Sequence, residues 1–269
     1  MAYAKINSIT NANMAKVNNA AKAALGKIGS IDAPSASFSN TYSLDCDGSN
    51  DYVTMGDIDV LDSQDTFTIS TWIKLDTLPS SGGRYVIVSK DNAYELYVRE
   101  GLGGSGVYTI YLRINNQSIL SYNNTVSIVS ISADTWYHYA AVHSSDGTSL
   151  YLNGSKQGDS RGSQLEINDV SDSLIIGGRG SYFTNGLIDE VALWTTDLDA
   201  DAITQIYNSG EPIDLTSNSG NYDNSDTLVG YWRFEEGTGT SVADSSTNSN
   251  AGTLVNFSGG GWSSTVPTA

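Results

Sequence analysis

The stretch LDCDGSNDYV, residues 44–53, places three carboxylates and a turn glycine within ten residues. Carboxylates at this density could hold a metal ion, act as catalytic acids, or form the acidic rim of a sheet. Calcium takes six to eight hard oxygen ligands, commonly carboxylates mixed with backbone carbonyls and water. Asp47 and Gly48 offer a carboxylate and a glycine that lets carbonyls turn inward. The stretch therefore predicts a strand and turn that could hold an ion.

Catalytic carboxylates must face each other across a cleft, about 5–9.5 Å apart in glycoside hydrolysis. Side chains at alternate positions of a strand share a face, whereas neighbouring ones do not. In GLIDEV, residues 186–191, Asp189 and Glu190 are neighbours. Alternation therefore predicts that they lie on opposite faces and form no catalytic pair.

Other catalytic groups are sparse. His138 and His143 are the two histidines, and on one strand they project to opposite faces, so they cannot share a metal. Cys46 is the single cysteine, which excludes an intrachain disulfide. No serine lies in a G-x-S-x-G nucleophile elbow. These observations favour a protein without enzymatic activity.

The charge balance excludes several partners. The formal net charge is −17, and the 13 lysines and arginines are scattered, so we expect no binding to nucleic acid or to an anionic membrane. No apolar run approaches the ~18–20 residues of a membrane span. The first residues lack the apolar core of a secretory signal. We expect a protein made in a host cytoplasm, which particle assembly and lysis could still carry outside.

Short aromatic or β-branched segments, bounded by Gly, Asn, Asp or Ser turns, follow one another from residue 35 onward. They are 67–75, 85–90, 93–99, 107–114, 136–143, 148–154 and 173–178. Such a pattern predicts an all-β protein, an antiparallel two-sheet sandwich or jelly roll. One short helix is expected over 199–210, with Asp199 as its N-cap and Gly210 as its stop.

Residues 1–34 form a separate segment in this interpretation. Lys5, Lys16 and Lys27 recur every 11 residues, a period that can indicate a right-handed helical supercoil, whereas the Asn, Ser and Gly content favours short strand-turn units. The segment is too small to bury its apolar stripe alone. We expect it to anchor the chain on a partner or on copies of itself. Residues 35–269 form the main domain, with strands in 228–257 completing the sandwich.

Several motifs together resemble a known family. LDCDGSNDYV, FTISTWIK, DTWYHYAAVH, SLYLNG, SLIIGG and NGLIDEVALWTTDLDADAI occur in this order. They are similar to the laminin G-like/concanavalin A-like jelly roll, of the variety related to pentraxins, over about residues 35–210. Cys46 stands where that family usually has phenylalanine, and strand alternation points it into the core. Glucanases of this fold carry E-x-D-x-(x)-E on one strand, and the chain has no such string.

The resemblance implies a structural calcium ion. Related jelly rolls pin neighbouring strands with calcium, and the matching positions here are Asp47, Gly48 and Asp189. The alternative is that Asp47 caps a turn and Asp189 accepts backbone N–H bonds without an ion. The acidic run DIDVLDSQD, residues 57–65, is interpreted as a solvated loop.

The resemblance also implies lectin-like glycan binding. The tryptophans lie inside strand motifs that already require core residues, so we expect them to pack rather than to stack on sugars. Loop residues are the better candidates for glycan contacts: Tyr122, Asn123 and Tyr182.

The stretch LVGYWRFEEGTGTSVADSSTNSNAGTLVN, residues 228–256, resembles the opening strand of such a domain placed late in the chain. With the repetitive segment 1–33, this arrangement is similar to virion structural proteins of tailed, particularly marine, bacteriophages. The implied function is a non-enzymatic capsid decoration or tail or fibre component, bound through 1–33 to a capsid or tail protein and self-associating. Two alternatives are a carbohydrate-active enzyme or its sugar-binding module, and a bacterial surface adhesin.

Overall fold

The computed structural model describes residues 38–100, 106–118, 131–160 and 165–269. Residues 39–269 form one compact unit. The proposed anchor, residues 1–34, lies outside the described residues, as do Tyr122 and Asn123.

The described residues contain 18 strands. The first nine are β1 (Ser43–Asp47), β2 (Tyr52–Gly56), β3 (Phe67–Leu75), β4 (Arg84–Lys90), β5 (Tyr94–Glu100), β6 (Tyr108–Ile114), β7 (Gln117–Ser118), β8 (Trp136–Ser144) and β9 (Gly147–Leu152). The others are β10 (Ser155–Ser160), β11 (Leu174–Ile176), β12 (Gly178–Arg179), β13 (Tyr182–Phe183), β14 (Asn185–Trp194), β15 (Leu228–Trp232), β16 (Ser241–Val242), β17 (Gly252–Val255) and β18 (Trp262–Ser263).

The strands form two large antiparallel sheets and one small hairpin. Sheet A has the order β10-β9-β8-β3-β14-β1-β18, and β15 also pairs with β14. Sheet B has the order β16-β17-β2-β11-β4-β5-β6-β7. Strands β12 and β13 pair with each other as the hairpin. The predicted all-β, two-sheet antiparallel jelly-roll sandwich is confirmed.

Alternation along the strands builds the core between the sheets. In β3, Ile69 and Ile73 belong to the large buried cluster, whereas Ser70 and Trp72 point to the outer side of sheet A. Leu96 of β5 belongs to the same buried cluster and contributes to it from sheet B. Cys46 is also in this cluster and 1% exposed, so its predicted inward orientation is confirmed.

The outer side of sheet A is covered by helix α1 (Ala200–Tyr207). Its predicted N-cap is confirmed, because Asp199 Oδ1 accepts a hydrogen bond from the Ala202 N–H at 2.7 Å. The helix ends at Asn208, which is left-handed with φ 44°, and not at Gly210. Ile203 and Ile206 pack into a second buried cluster against sheet A. No helix among the described residues is long and apolar enough to cross a membrane.

The late strands join both sheets. β15 pairs with β14, β17 pairs with β2, and β18 pairs with β1. Two 3-10 turns, Asn208–Gly210 and Ser225–Thr227, lie between α1 and β15. Residues 228–263 therefore supply strands to both layers of the sandwich.

Candidate functional site

The outer side of sheet B carries a group of basic and aromatic side chains, which we name the arginine–tyrosine face. Alternation in β5 and β6 points Leu96 and Leu112 into the core and their neighbours outward. The members of the face are Arg84, Glu95, Tyr97, Arg99, Tyr111 and Arg113 from the sheet, with Arg179 and Tyr182 from the β12–β13 hairpin. Four of the 13 basic residues of a strongly acidic chain thus meet on one surface.

Glu95 organises the arginines. Its side chain is 3% exposed and forms ion pairs with Arg84 at 3.0 Å, Arg113 at 3.1 Å and Arg179 at 3.3 Å. Arg179 also donates from Nε to Asp91 Oδ1 at 2.9 Å. Because a buried carboxylate restrains the guanidinium groups, they present N–H donors in a fixed arrangement.

The tyrosines form the aromatic part of the face. Tyr97 and Tyr111 stack with ring centroids 5.3 Å apart. The guanidinium of Arg84 lies 5.2 Å from the Tyr97 ring and 4.2 Å from the Tyr182 ring. Tyr182 is 39% exposed, the one exposed large hydrophobic residue within the described ranges. An exposed ring beside fixed donors can stack on a flat apolar surface while its neighbours bind polar groups.

The hairpin that carries Arg179 and Tyr182 is attached to β4. Thr184 Oγ1 donates to the Val86 carbonyl at 2.7 Å, and Ser89 Oγ donates to the Gly178 carbonyl at 3.0 Å. The backbone N–H of Gly177 donates to the Ile87 carbonyl at 2.8 Å. The position of Tyr182 over the sheet is therefore set by hydrogen bonds to β4.

The LDCDGSNDYV stretch folds as strand β1 and a turn. Asp47 Oδ1 accepts a hydrogen bond from the Ser49 N–H at 2.8 Å, and the Asp47 N–H donates to Asp51 Oδ2 at 3.1 Å. Gly48 has φ +77°, and a Cβ there would lie 2.7 Å from Asn185 Cβ. Glycine is thus required both by the left-handed turn and by the contact with β14.

The strand register separates the predicted calcium ligands. Asp47 pairs with Asn185, and Leu44 pairs with Ile188, beside Asp189. Four residues along a strand correspond to about 13 Å, more than twice a calcium–oxygen distance. Asp47 and Gly48 therefore do not form one site with Asp189. Whether calcium binds at either place stays a prediction.

The two carboxyl oxygens of Asp189 accept hydrogen bonds from protein groups. Its Oδ2 accepts from Asn40 Nδ2 at 3.0 Å and its Oδ1 from the Glu190 N–H at 2.9 Å. Burial and the neighbouring Glu190 carboxylate raise the pKa of Asp189 well above its ordinary value.

The expectation that Asp189 and Glu190 lie on opposite faces is wrong. A β-bulge follows Asp189, and Glu190 has a left-handed φ of 50°. Asp189 pairs with Trp72, whose ring stacks on Tyr207 of α1, and Glu190 lines a small cavity beside Trp72. Both carboxyl groups therefore lie on the outer side of sheet A. Both are buried, and Glu190 contacts the Tyr231 hydroxyl and Arg233.

The prediction of a solvated acidic loop over 57–65 is wrong for Asp62, whose side chain is 4% exposed. Asp62 Oδ2 accepts from Lys90 Nζ at 2.7 Å, and the Lys90 side chain is fully buried. Asp57 and Asp59 are exposed and also contact this ammonium, each at 3.1 Å. Lys90, which lies on β4 about 30 positions after these aspartates, thus holds the loop in place through three ion pairs.

Three of the five tryptophans pack as expected, whereas Trp136 and Trp262 are half-buried. Trp72, Trp194 and Trp232 are 3%, 0% and 0% exposed. The histidines project to opposite faces as predicted, because His138 packs on Trp72 and His143 on Phe67. The three buried tryptophans and the two histidines are not available to a sugar from solvent.

The arginine–tyrosine face was missed from the sequence, apart from Tyr182. The sequence does indicate outward-facing charged residues here, because Glu95 and Arg113 alternate with apolar residues in YELYVRE and YTIYLRI. Glu95 pairs directly with Arg113 across β5 and β6, a register that the sequence does not show. Opposite charges at matching positions of adjacent strands were therefore the available indication.

The two-sheet sandwich with a polar and aromatic outer face defines a lectin-like class of protein. Residues 47–204 match the profile of the Concanavalin A-like lectin/glucanases superfamily. This chain belongs to that superfamily. No curated protein sequence matches it.

Solved structures share the fold at low identity. A presumed carbohydrate-binding protein from Bacteroides ovatus ATCC 8483 aligns with a TM-score of 0.60 and 20% identity. The alignment covers 86% of this chain and 62% of that protein. A heptameric SAP-like pentraxin from Limulus polyphemus aligns with a TM-score of 0.48 and 18% identity, covering 62% of this chain and 82% of the pentraxin. The similarity to the Bacteroides protein shows the fold.

Proposed function

We propose that the chain is a non-enzymatic glycan-binding module and that the arginine–tyrosine face is its binding surface. The observation that supports this most directly is Tyr182, an exposed ring 4.2 Å from the Arg84 guanidinium on a surface with restrained donors. Aromatic rings suit the apolar faces of sugar rings, and each arginine offers five N–H donors to hydroxyl or carboxylate oxygens.

The chemistry of this face suits binding rather than catalysis. Glu95 is held in ion pairs with three guanidinium groups, so it is occupied as a counter-ion rather than free as a general acid or base. The buried Asp189 and Glu190 lie on the other sheet, beneath α1. We therefore infer retention of glycans without bond cleavage.

Replacing Tyr182 by alanine is expected to weaken glycan binding about two- to twelvefold, because one stacking contact contributes about 0.5–1.5 kcal/mol. Binding is measured by affinity electrophoresis through gels containing laminarin, a neutral polysaccharide, or alginate, an acidic one. Arg84→Ala is expected to have a similar effect. Lys74→Ala removes a positive charge from sheet A and is the matched control.

Two results would contradict this proposal. One is a wild-type chain that passes unretarded through every gel, and the other is a Tyr182→Ala variant retarded as strongly as Lys74→Ala. Release of reducing sugar from either polysaccharide, lost on changing one carboxylate, would favour the alternative of a carbohydrate-active enzyme.

The proposal extends to a virion of a tailed bacteriophage, where the module would display its face to host or environmental glycans. It is supported by the resemblance of residues 228–256 to the opening strand of a laminin G-like domain, placed late in the chain. With the repetitive segment 1–33, this arrangement is similar to that of such structural proteins. In this arrangement residues 1–33 bind a capsid or tail protein, and copies of the chain associate with one another.

Deleting residues 1–33 is expected to abolish incorporation into particles and to leave a folded domain, because residues 39–269 form their own compact unit. Incorporation is measured by sedimenting particles and probing them for the protein. Full-length Tyr182→Ala is the control, since it should decorate particles while binding glycan weakly. A truncated chain that still decorates particles would disprove the anchor.

A further inference from the structure

The loop between β2 and β3, residues 57–65, is attached to the segment 165–170. The Ser63 N–H donates to the Ile167 carbonyl at 3.0 Å, and the Ile167 N–H donates to the Gln64 carbonyl at 2.8 Å. This pairing brings Asp169 next to Asp59 and Asp62. Each of the three offers one carboxylate oxygen, and these oxygens all lie within 4.8 Å of one another.

The charges in this place are not balanced. Lys90 is bonded by Asp57, Asp59 and Asp62, so a single ammonium faces three carboxylates. Asp169 adds a fourth negative charge and takes part in none of the ion pairs found among the described residues. Like charges this close repel one another unless a further cation is shared.

The carboxylate of Asp62 gives a second, independent indication of a bound cation. Its side chain is 96% buried, since 4% of its surface is exposed. Oδ2 accepts from Lys90 Nζ at 2.7 Å and from the Val170 N–H at 3.2 Å. Oδ1 is buried and has no hydrogen-bond partner within the described part of the chain. Leaving such an acceptor unsatisfied is unfavourable, and a bound cation would satisfy it.

We propose that Asp59, Asp62 and Asp169 bind a calcium ion beside Lys90. Calcium–oxygen distances of 2.3–2.6 Å allow ligand oxygens about 5 Å apart, which the observed separation fits. Magnesium needs distances near 2.0–2.1 Å and gives up its water reluctantly. Water completes the coordination on the exposed side. The ion links the loop 57–65 to residues 165–170.

The test is the thermal unfolding of the full chain with calcium chloride, compared with magnesium chloride at equal ionic strength. With a Kd of about 10⁻⁴–10⁻³ M, as in extracellular modules, 10 mM calcium is expected to raise the Tm by several degrees. Asp169→Asn should remove this rise, because Asp169 is exposed and its loss leaves the fold intact. Asp223→Asn, an exposed residue after α1, is the matched control and should retain the rise.

Three results would overturn the inference. Equal shifts with magnesium and calcium would indicate general charge screening. A calcium shift retained in Asp169→Asn but lost in Asp47→Asn would place the ion at the turn after β1. No shift in the wild-type chain would mean that Lys90 alone neutralises the cluster.

Discussion

Replacing Lys90 by methionine is expected to lower the free energy of unfolding by about 3–5 kcal/mol, the usual cost of leaving one partner of a buried ion pair unpaired. The ammonium is fully buried and bonds Asp62 at 2.7 Å and the Ile58 carbonyl at 2.9 Å. Burial alone would lower the pKa of Lys90, but hydrogen bonds to the aspartates outweigh it and raise the pKa. Methionine fills the same volume and leaves the Asp62 carboxylate buried without its cation.

The measurement is urea unfolding in EDTA, so that metal binding does not contribute. Lys74→Met is the control, because Lys74 pairs at 3.5 Å with Asp134, which is 75% exposed, and should cost less than about 1 kcal/mol. Adding Asp62→Asn to Lys90→Met should recover part of the loss. A Lys90→Met variant as stable as Lys74→Met would show that the buried ammonium does not organise the loop.

The contributions of two buried groups, His138 and Glu190, to the pH dependence of stability are expected to oppose each other, so that their sum is largest between about pH 4.5 and 6.5. His138 and Glu190 line the same small cavity between sheet A and α1. Burial lowers the pKa of His138 to about 3. Burial raises the pKa of Glu190 to about 8, although Arg233 and the Tyr231 hydroxyl act against it.

The two pKa shifts act in opposite directions. Between pH 3 and 6.5 the unfolded chain protonates His138 and the folded chain does not, so stability falls as the pH is lowered. Between pH 4.5 and 8 the folded chain keeps the Glu190 proton that the unfolded chain loses, so stability falls as the pH is raised. Each slope is at most about 1.4 kcal/mol per pH unit, and the contributions of His138 and Glu190 cancel where they overlap. Asp189, whose pKa burial also raises, adds a further loss of stability as the pH rises.

Urea unfolding of the wild-type chain, Glu190→Gln and His138→Phe from pH 3.5 to 9 separates the two contributions. Glutamine cannot ionise, so Glu190→Gln should flatten the loss above pH 6.5. Phenylalanine keeps the ring contact with Trp72 and should flatten the loss below pH 4.5. Curves for Glu190→Gln and the wild type that stay parallel from pH 6.5 to 9 would contradict the assignment to Glu190.

The secondary-structure elements that depend on local patterns could be predicted from the sequence. FTISTWIKL forms β3 at Phe67–Leu75, and Asp199 caps α1, because strand alternation and N-capping are set by neighbouring residues. The predicted orientation of Glu190 was wrong because of the β-bulge beside it, since the alternation of side chains assumes an uninterrupted strand. No glycine marks the left-handed Glu190, so the bulge has no local signal.

Contacts between segments far apart in the chain could not be predicted from the sequence. Lys90 meets Asp62, and Glu95 meets Arg179, only because the loop 57–65 and the β12–β13 hairpin both fold against sheet B. The candidate residue Tyr182 was identified from its loop context, whereas Arg84 and Arg179 required the register of the hairpin over β4. The binding surface is therefore a product of strand pairing, which no single segment encodes.

The pairing of β1 with β18 and of β2 with β17 has a kinetic consequence. Ser43 must find Ser263, about 220 residues away in sequence, and Thr54 must find Thr253. Such long-range closure is slow, and in the meantime apolar strand edges stay uncovered. The net charge of −17 keeps unfinished chains apart through mutual repulsion. The acidity of this chain is therefore expected to oppose aggregation while these long-range strand pairs form.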